Sequence, residues 1–315
     1  MLILFTADIH IKLGSKNVPS DWYKNRFNMF IEQLQGMQEQ ADILILGGDI
    51  FDRVPTVQEM ELYFQLVSSC NIETLVYSGN HCAVTKTTTF LSYLKEATSK
   101  INALVTIIDD YYSNNTFDVI PYSRIKDKEF PKPNNRILCT HVRGAIEPHV
   151  KPEIDLDRLE GWDLVLAGDL HSYKNSQRNI LYPGSPYTTS FHREEVKTGA
   201  ILLDSETLKH EWLEFKLPQL IRKTIKAGET PVATDFHHTI FDVEGSLLEL
   251  SSMRDSDLID KKVSKRIVDS ALILDPSLTL LDEVREYLLY IMQLPEEQVN
   301  KVLDELQQHN ARIDL

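Results

Sequence analysis

The stretch Ile43-Leu44-Ile45-Leu46-Gly47-Gly48-Asp49 contains four apolar residues, two glycines and a carboxylate. A short apolar run of this kind predicts a buried β-strand in a sheet that is covered by helices. Glycine permits a sharp exit from the strand and lets the backbone approach a ligand closely. The aspartate is then delivered to the edge of the sheet, where open α/β folds place their sites.

Four other segments repeat this order of an apolar run followed by a polar cluster. The polar clusters are Asp8-Ile9-His10, Gly79-Asn80-His81, His141 and Gly168-Asp169-Leu170-His171. Asp8 and His10 lie two residues apart, so as strand residues they would point to the same side of the sheet. Each cluster alone is more commonly a capped strand end, whereas five in this order favour a metal centre. The candidate ligands are Asp8, His10, Asp49, Asn80, His141, Asp169 and His171.

The composition limits the classes of function that remain. The chain has 315 residues, which predicts one large domain and a smaller appendage, and its formal net charge is −14. A protein that binds nucleic acid alone usually has a basic face, so either the substrate is not nucleic acid or a partner supplies positive charge. Acidity that only aids solubility is an equally good explanation.

Cysteine usage and hydropathy predict the compartment. The three cysteines form no Cys-x-x-Cys pair, which argues for a reducing environment and against a zinc–thiolate site. The N-terminal apolar run is too short for a signal peptide, and no segment approaches the length of a membrane span. We therefore expect a soluble cytoplasmic protein that has no membrane partner.

The pattern of elements divides the chain into three parts. Residues 1–215 alternate strands with helices such as 22–40 and 57–69, which indicates a layered α/β domain. Residues 216–276 are expected to form a small α+β cap, with a helix over Leu247–Val263 and a strand over Arg266–Val268. Residues 277–315 predict two amphipathic helices that either dock a partner or simply cover the chain's own core.

The order D-x-H, G-D, G-N-H, H and G-x-x-H resembles the calcineurin-like metallophosphoesterases over about the first 200 residues. Within that superfamily, Gly47–Asp52, Tyr182–Pro186 and Ser190-Phe191 resemble the SbcD-type nuclease subunit of the double-strand-break repair complex. The size, small cap and short tail are most similar to the bacteriophage version. The resemblance implies two packed mixed β-sheets flanked by helices, an α/β/β/α sandwich, with a small α+β capping domain and a helical C-terminal tail.

The resemblance also implies roles for individual residues. Asp8, His10 and His171 would hold one metal ion, Asn80, His141 and Asp169 the other, and Asp49 would bridge them. The two ions would be Mn²⁺ or, alternatively, Mg²⁺. His81 would act as the general acid in hydrolysis of DNA by a combined exonuclease and endonuclease. The implied partner is an SbcC-like SMC-type ATPase bound through residues 277–315, and the compartment of a phage protein would be the host cytoplasm. A homodimer is left open.

Two positions depart from the pattern of the relatives. Many of them have His where this chain has Asp169, and Asp where it has Cys82. A carboxylate at position 169 still suits a hard cation but adds negative charge, and Cys82 cannot support His81 through a charge-assisted hydrogen bond. Possible contacts with DNA phosphates are Lys12, Lys16, Arg143 and Arg193, each of which is equally well an ordinary solvated charge.

Two other functional classes remain open. A stand-alone phosphoesterase for nucleotides or other small phosphodiesters would need the same metal ligands but no partner-docking tail. A non-catalytic scaffold would retain the fold without metal-dependent turnover.

Overall fold

A computed structural model of the chain describes residues 1–85, 88–245, 247–251, 253, 256–263 and 279–313. The chain divides into two compact units, Met1–Lys262 and Val263–Leu315. The domain boundaries that we expect after residues 215 and 276 stay a prediction. Among the described residues, no helix combines the length and the apolar character that crossing a bilayer requires.

Helices and strands alternate along the first unit. Its α-helices are α1 (Ser20–Gln38), α2 (Val57–Ser69), α3 (Phe90–Ile101) and α4 (Leu247–Ser251). Its strands are β1 (Leu2–Thr6), β2 (Ile43–Gly47), β3 (Glu73–Tyr77), β4 (Val105–Ile108), β5 (Tyr112–Ser113), β6 (Phe117–Ile120), β7 (Ile137–His141), β8 (Leu164–Gly168), β9 (Ile180–Leu181), β10 (Thr198–Asp204), β11 (His210–Phe215), β12 (Leu220–Lys226), β13 (His238–Gly245) and β14 (Ile259–Val263).

The strands form two large mixed sheets. The first has the order β11-β10-β1-β2-β3-β4, in which β1 to β4 are parallel and β10 runs antiparallel to both neighbours. The second has the order β5-β6-β7-β8-β9, in which only β5 is antiparallel to its neighbour. Because β1–β3 and β7–β8 are parallel within their sheets, their carboxyl ends meet at one edge of each sheet.

Three apolar clusters fill the spaces between the layers of the fold. Alternate residues of β1 face opposite ways, so Ile3 and Phe5 pack between the two sheets while Leu4 packs against α1 and α2. The outer face of the second sheet packs against a segment that contains Leu159 and Trp162. The predicted sandwich of two sheets is confirmed, and the layer over this second sheet includes short 3-10 helices such as Leu156–Leu159.

The predicted helices of the main domain are confirmed with small shifts of their ends. The helix expected over 22–40 is α1, whose Phe27, Phe30 and Leu34 are buried. The helix expected over 57–69 is α2, which begins with a capping box between Thr56 and Glu59. Glu59 also accepts the backbone N–H of Leu13 over 2.8 Å, which fixes the chain just beyond the first polar cluster.

The cap differs from its prediction in one element. The helix expected over Leu247–Val263 ends at Ser251, and residues Ile259–Val263 form β14 of a three-stranded sheet ordered β12-β13-β14. Serine and aspartate follow the helix, and such residues favour turns over helix interiors because their side chains compete for backbone hydrogen bonds. The strand expected over Arg266–Val268 lies outside the described residues.

Residues 279–313 of the second unit form two helical segments, as predicted. Helix α5 (Leu280–Glu286) begins with a capping box between Thr279 and Asp282 and continues into a π-helical turn over Tyr287–Ile291. Helix α6 (Glu296–Ile313) follows Pro295, a residue that is favourable at a helix start.

Candidate metal centre

The polar clusters follow five strand ends that the packing of the two sheets brings together. β1, β2 and β3 of the first sheet and β7 and β8 of the second all end here. The hydroxyl of Tyr77 donates to the carbonyl of Thr140 over 2.9 Å and so ties β3 to β7. A Cβ on Gly168 would lie 2.5 Å from the carbonyl oxygen of Gly47, so glycine is needed for this approach of the sheets.

The loops at this edge have unusual backbone angles. Asp8, His10, Asp49 and Asp169 have φ values of 58°, 47°, 47° and 100°. Because β1 ends at Thr6, the expectation that Asp8 and His10 share a face as strand residues was wrong. They approach the same centre because the loop after β1 hydrogen-bonds to the loop after β2, for example from His10 N to Asp49 O over 2.8 Å. Left-handed non-glycine residues cost roughly 1–3 kcal/mol each and concentrate at functional sites.

Asp8, His10 and His171 form one group of candidate ligands. The Nε2 atoms of His10 and His171 are 3.2 Å apart. Oδ1 of Asp8 lies 4.0 Å from Nε2 of His10 and 3.9 Å from Nε2 of His171. Three ligand atoms at these separations can share one cation.

A second group surrounds Nε2 of His141. Oδ1 of Asn80 lies 3.0 Å from this nitrogen, and Oδ1 of Asp169 lies 3.9 Å from it. Oδ2 of Asp49 lies 3.4 Å from Nε2 of His141 and 3.7 Å from Nε2 of His10. Asp49 therefore lies between the two groups, as a bridging carboxylate must.

The histidine rings fit metal ligation. Nδ1 of His141 lies 3.0 Å from the Gly47 carbonyl, and Nδ1 of His171 lies 3.2 Å from Oγ1 of Thr189. Nδ1 of His10 faces Oδ1 of Asp52 at 3.5 Å, which is longer than an ordinary hydrogen bond. All three rings thus have Nδ1 turned to an outer partner and Nε2 turned inward, as in metal-bound imidazoles. Oxygen and nitrogen donors without thiolate suit Mn²⁺ or Mg²⁺, and imidazole also suits Fe²⁺ and Zn²⁺.

Opposite charges within the ligand cluster stabilise one another. Burial disfavours the charged ring of His141, but Asp49, Asp8 and the Gly47 carbonyl together raise the pKa of His141 to about 10. Burial likewise disfavours ionised Asp49, yet His141 and further donors lower its pKa to about 2. Burial raises the pKa of Asp8. A cluster of carboxylates this deeply buried needs positive charge, which divalent cations supply.

His81 stands beside this centre with its ring exposed. Its backbone N–H donates to Oδ1 of Asp49 over 2.8 Å. Nδ1 of the ring is 2.7 Å from the carbonyl oxygen of Asp52, and the ring lies edge-on to His10 with centroids 4.8 Å apart. Its Nδ1 therefore has a neutral carbonyl as partner, while Cys82 is buried.

Asp52 was not among the candidate site residues predicted from the sequence. Besides its contacts with His10 and His81, its Oδ2 accepts from Nζ of Lys12 over 2.9 Å. The available signal was its position in Gly47-Gly48-Asp49-Ile50-Phe51-Asp52, three residues after Asp49. Ser185 was also missed as a support; its hydroxyl donates to the carbonyl of Asp8 over 2.7 Å.

The candidate DNA contacts have different surroundings. Lys12 pairs with Asp52, and Arg143 pairs with Asp169. Lys16 lies in an exposed turn between the bridged residues Ser15 and Val18. Arg193 is exposed and lines a cleft of about 930 Å³ that opens beside His171 and also contains Lys174 and Lys197. Contact with DNA stays a prediction for all four.

Comparison with known proteins places the chain in a family. The calcineurin-like phosphoesterase family matches residues 1–163. The chain is 41% identical to "Probable exonuclease subunit 1" of Escherichia phage T5, over 96% of this chain and 97% of that protein. It is 29% identical to "Putative phosphoesterase 244L" of Invertebrate iridescent virus 6, over 64% of this chain and 75% of that protein. The crystal structure of the Thermus thermophilus protein TT1561 covers 68% of this chain and 99% of its own, with a TM-score of 0.43 and 14% identity.

The matched family segment begins at β1 and includes four of the five polar clusters, and the full-length relative extends the similarity over the rest of the chain. The chain therefore belongs to the calcineurin-like phosphoesterases and is a metal-dependent phosphodiester hydrolase.

Proposed function

We propose that this protein is a DNA exonuclease and endonuclease, the small subunit of an SbcCD-like recombination nuclease. The metal centre alone would fit any phosphoesterase. The observation that carries the proposal is the 41% identity, over nearly the whole length of both chains, to a protein named a probable exonuclease subunit. Because the similarity covers the cap and the tail as well as the hydrolase domain, it favours a role in the same kind of complex.

The seven candidate ligands would hold two divalent ions. Asp8, His10 and His171 surround one position, Asn80, His141 and Asp169 the other, and Asp49 serves both. We expect Mn²⁺ first and Mg²⁺ second, since the candidate ligands combine hard oxygens, which suit both ions, with three imidazole nitrogens, which suit Mg²⁺ less well. Bound cations of this kind neutralise charge on a phosphodiester and make water a better nucleophile.

His81 is the residue suited to move a proton. Because Nδ1 faces the Asp52 carbonyl, Nε2 is the ring nitrogen left for exchange with a substrate. The ring is exposed next to His10, so a leaving 3′ oxygen at the centre would be within its reach. General acid catalysis of this type contributes roughly 10²–10⁴-fold to the rate.

The tail would bind the partner ATPase. Leu280 and Tyr290 are 70% and 67% exposed, and Met292 is 49% exposed. Apolar side chains on exposed helices fit a groove or a coiled coil of an SbcC-like subunit. The net charge of −14 agrees with a partner that provides part of the DNA-binding surface. Residence in the host cytoplasm belongs to the same proposal, whereas a homodimer is left open.

The test uses purified full-length protein with Mn²⁺, with Mg²⁺ or with chelator. Linear, hairpin and circular single-stranded DNA are the substrates, and bis(p-nitrophenyl) phosphate reports hydrolysis of a small phosphodiester. We expect all four to be hydrolysed with metal, and degradation of the linear DNA to increase when an SbcC-like ATPase and ATP are added. Hydrolysis of the small phosphodiester without any DNA cleavage would favour a stand-alone nucleotide phosphodiesterase. A metal-loaded protein that hydrolyses neither would favour the scaffold.

A further inference from the structure

Asp169 and Arg143 form a two-point ion pair at the edge of the second ligand group. Nε of Arg143 donates to Oδ2 of Asp169 over 2.9 Å, and Nη2 donates to Oδ1 over 3.1 Å. The Asp169 side chain is 4% exposed, whereas that of Arg143 is 42% exposed. The planar fork of a guanidinium fixes the direction of both carboxylate oxygens, which a lysine ammonium cannot do.

We propose that Arg143 is a positioning residue for the second cation, because it holds Oδ1 of Asp169 towards the centre and offsets the charge of this carboxylate. The inference rests on the proposed function, in which Asp169 is a ligand. Each carboxylate oxygen can accept one hydrogen bond and still offer a lone pair to a metal ion. The pair is therefore compatible with ligation by Asp169.

Asp169 links the two ligand groups through its backbone and its side chain. Its φ is 100°, outside the regions that non-glycine residues usually adopt. Its N–H is 3.1 Å from both carboxylate oxygens of Asp8, so its backbone contacts the first ligand group. Its side chain faces the second group, with Oδ1 3.9 Å from Nε2 of His141. Rotation of the carboxylate would break this link between the two groups.

Arg143 is itself anchored. Its backbone N–H donates to Oε1 of Glu153 over 3.0 Å. The other oxygen of Glu153 accepts from the hydroxyl of Tyr122 over 3.0 Å and lies 3.1 Å from Nζ of Lys126. The backbone of Arg143 is thus held by neighbours outside the ligand set, so its guanidinium can orient Asp169 before a metal ion binds.

The charge balance of the candidate metal centre explains why the guanidinium of Arg143 is tolerated beside it. Asp8, Asp49 and Asp169 together reduce the charge of two divalent cations to a single positive charge. The guanidinium of Arg143 would raise this to two, which is the value that a neutral ligand at position 169 would give in the absence of Arg143. The centre then keeps its attraction for a phosphodiester, while the paired guanidinium lies outside the ligand set.

Arg143→Lys separates geometry from charge, because it keeps the charge and loses the fork. We expect titration calorimetry to show the second Mn²⁺ binding 10–100-fold more weakly, roughly the effect of losing an outer partner of a metal ligand, with the first Mn²⁺ unaffected. Electron paramagnetic resonance should show fewer coupled Mn²⁺ pairs at equal metal. Arg222→Lys is the matched control, since Arg222 is 32% exposed and pairs in the cap with Asp242, which is 5% exposed.

A second pair of variants tests the charge. Asp169→His alone leaves the Arg143 cation beside a neutral ligand, so the second Mn²⁺ should bind more weakly than in Asp169→His/Arg143→Met. The inference is overturned if Arg143→Lys binds the second Mn²⁺ with wild-type affinity. It is also overturned if Asp169→His/Arg143→Met binds the second Mn²⁺ no more tightly than Asp169→His does. A wild-type protein that binds two Mn²⁺ ions and cleaves DNA would then leave the proposed function standing. A wild-type protein that binds no second Mn²⁺ overturns both.

Discussion

The two carboxylate oxygens of Asp49 have different partners. Oδ1 accepts the backbone N–H of His81, whereas Oδ2 faces Nε2 of both His141 and His10. The first contact fixes the orientation of the carboxylate, and the second places it between the two ligand groups. Asp8 contacts His171 and also lies close to His141, whereas Asp169 contacts His141. Asp49 is therefore suited to serve both of the proposed cation positions.

Replacement of Asp49 by alanine should abolish binding of paired Mn²⁺ ions rather than weaken one of them. Calorimetry should detect at most one weakly bound ion per chain, and hydrolysis of DNA and of small phosphodiesters should be lost. Asp21→Ala, at an exposed position in the first turn of α1, is the control and should behave as wild type. Normal nuclease activity in Asp49→Ala would remove the basis for a two-metal centre.

His81→Ala tests a different role. Because we assign His81 to proton transfer and not to ligation, the variant should bind Mn²⁺ normally and hydrolyse DNA roughly 10²–10⁴-fold more slowly. His210→Ala is a suitable control, since His210 lies on the outer strand β11 and its ring contacts Tyr173. If calorimetry showed that His81→Ala loses a metal ion, His81 would be a ligand instead, as its position near His10 and Asp49 would allow.

The elements differ in how well the sequence predicts them. Strands such as β2 were predictable because an apolar run buried on both faces leaves a continuous signal. The two-residue strand β5 gives no such signal. The loop conformations at Asp8 and Asp169 were also beyond prediction, because tertiary hydrogen bonds hold them at positive φ. The pairing of Arg143 with Asp169 arises from the adjacency of β7 and β8, which the spacing of the motifs does not reveal.

Gly79 shows how tightly the element ends are packed. A Cβ at this position would lie 2.2 Å from Oδ1 and 2.5 Å from the backbone nitrogen of Asp49. Gly79→Ala should therefore displace Asp49, weaken metal binding and reduce hydrolysis at least as far as loss of His81 does. Gly36→Ala in α1 is the control, because a Cβ there meets nothing within 4 Å. Chemical denaturation should show Gly36→Ala stabilised by up to about 1 kcal/mol, and full activity of Gly79→Ala would contradict the packing.

The acidic net charge of the chain limits how tightly it can bind DNA without a partner. Two of the basic residues nearest the centre, Lys12 and Arg143, form ion pairs with Asp52 and Asp169. The cleft beside His171 contains Lys174, Arg193 and Lys197, but Glu194 and Glu195 also line it. With a net charge of −14, the isolated subunit should bind DNA weakly and with strong salt dependence. A partner that adds basic surface would raise the affinity without changing the hydrolytic centre.

Removal of residues 277–315 tests where that partner binds. The candidate metal ligands lie within Met1–Lys262, so metal-dependent hydrolysis of bis(p-nitrophenyl) phosphate should persist. Co-purification with the ATPase and ATP-stimulated DNA degradation should be lost. In the full-length chain, Leu280→Asp/Tyr290→Asp should have the same effect, because both side chains are largely exposed and charge would oppose their burial in an apolar groove. Val232→Asp, at another exposed apolar position in the first unit, is the control. A tail variant that still binds the ATPase would assign the exposed apolar side chains to another role and place the docking surface elsewhere on the chain.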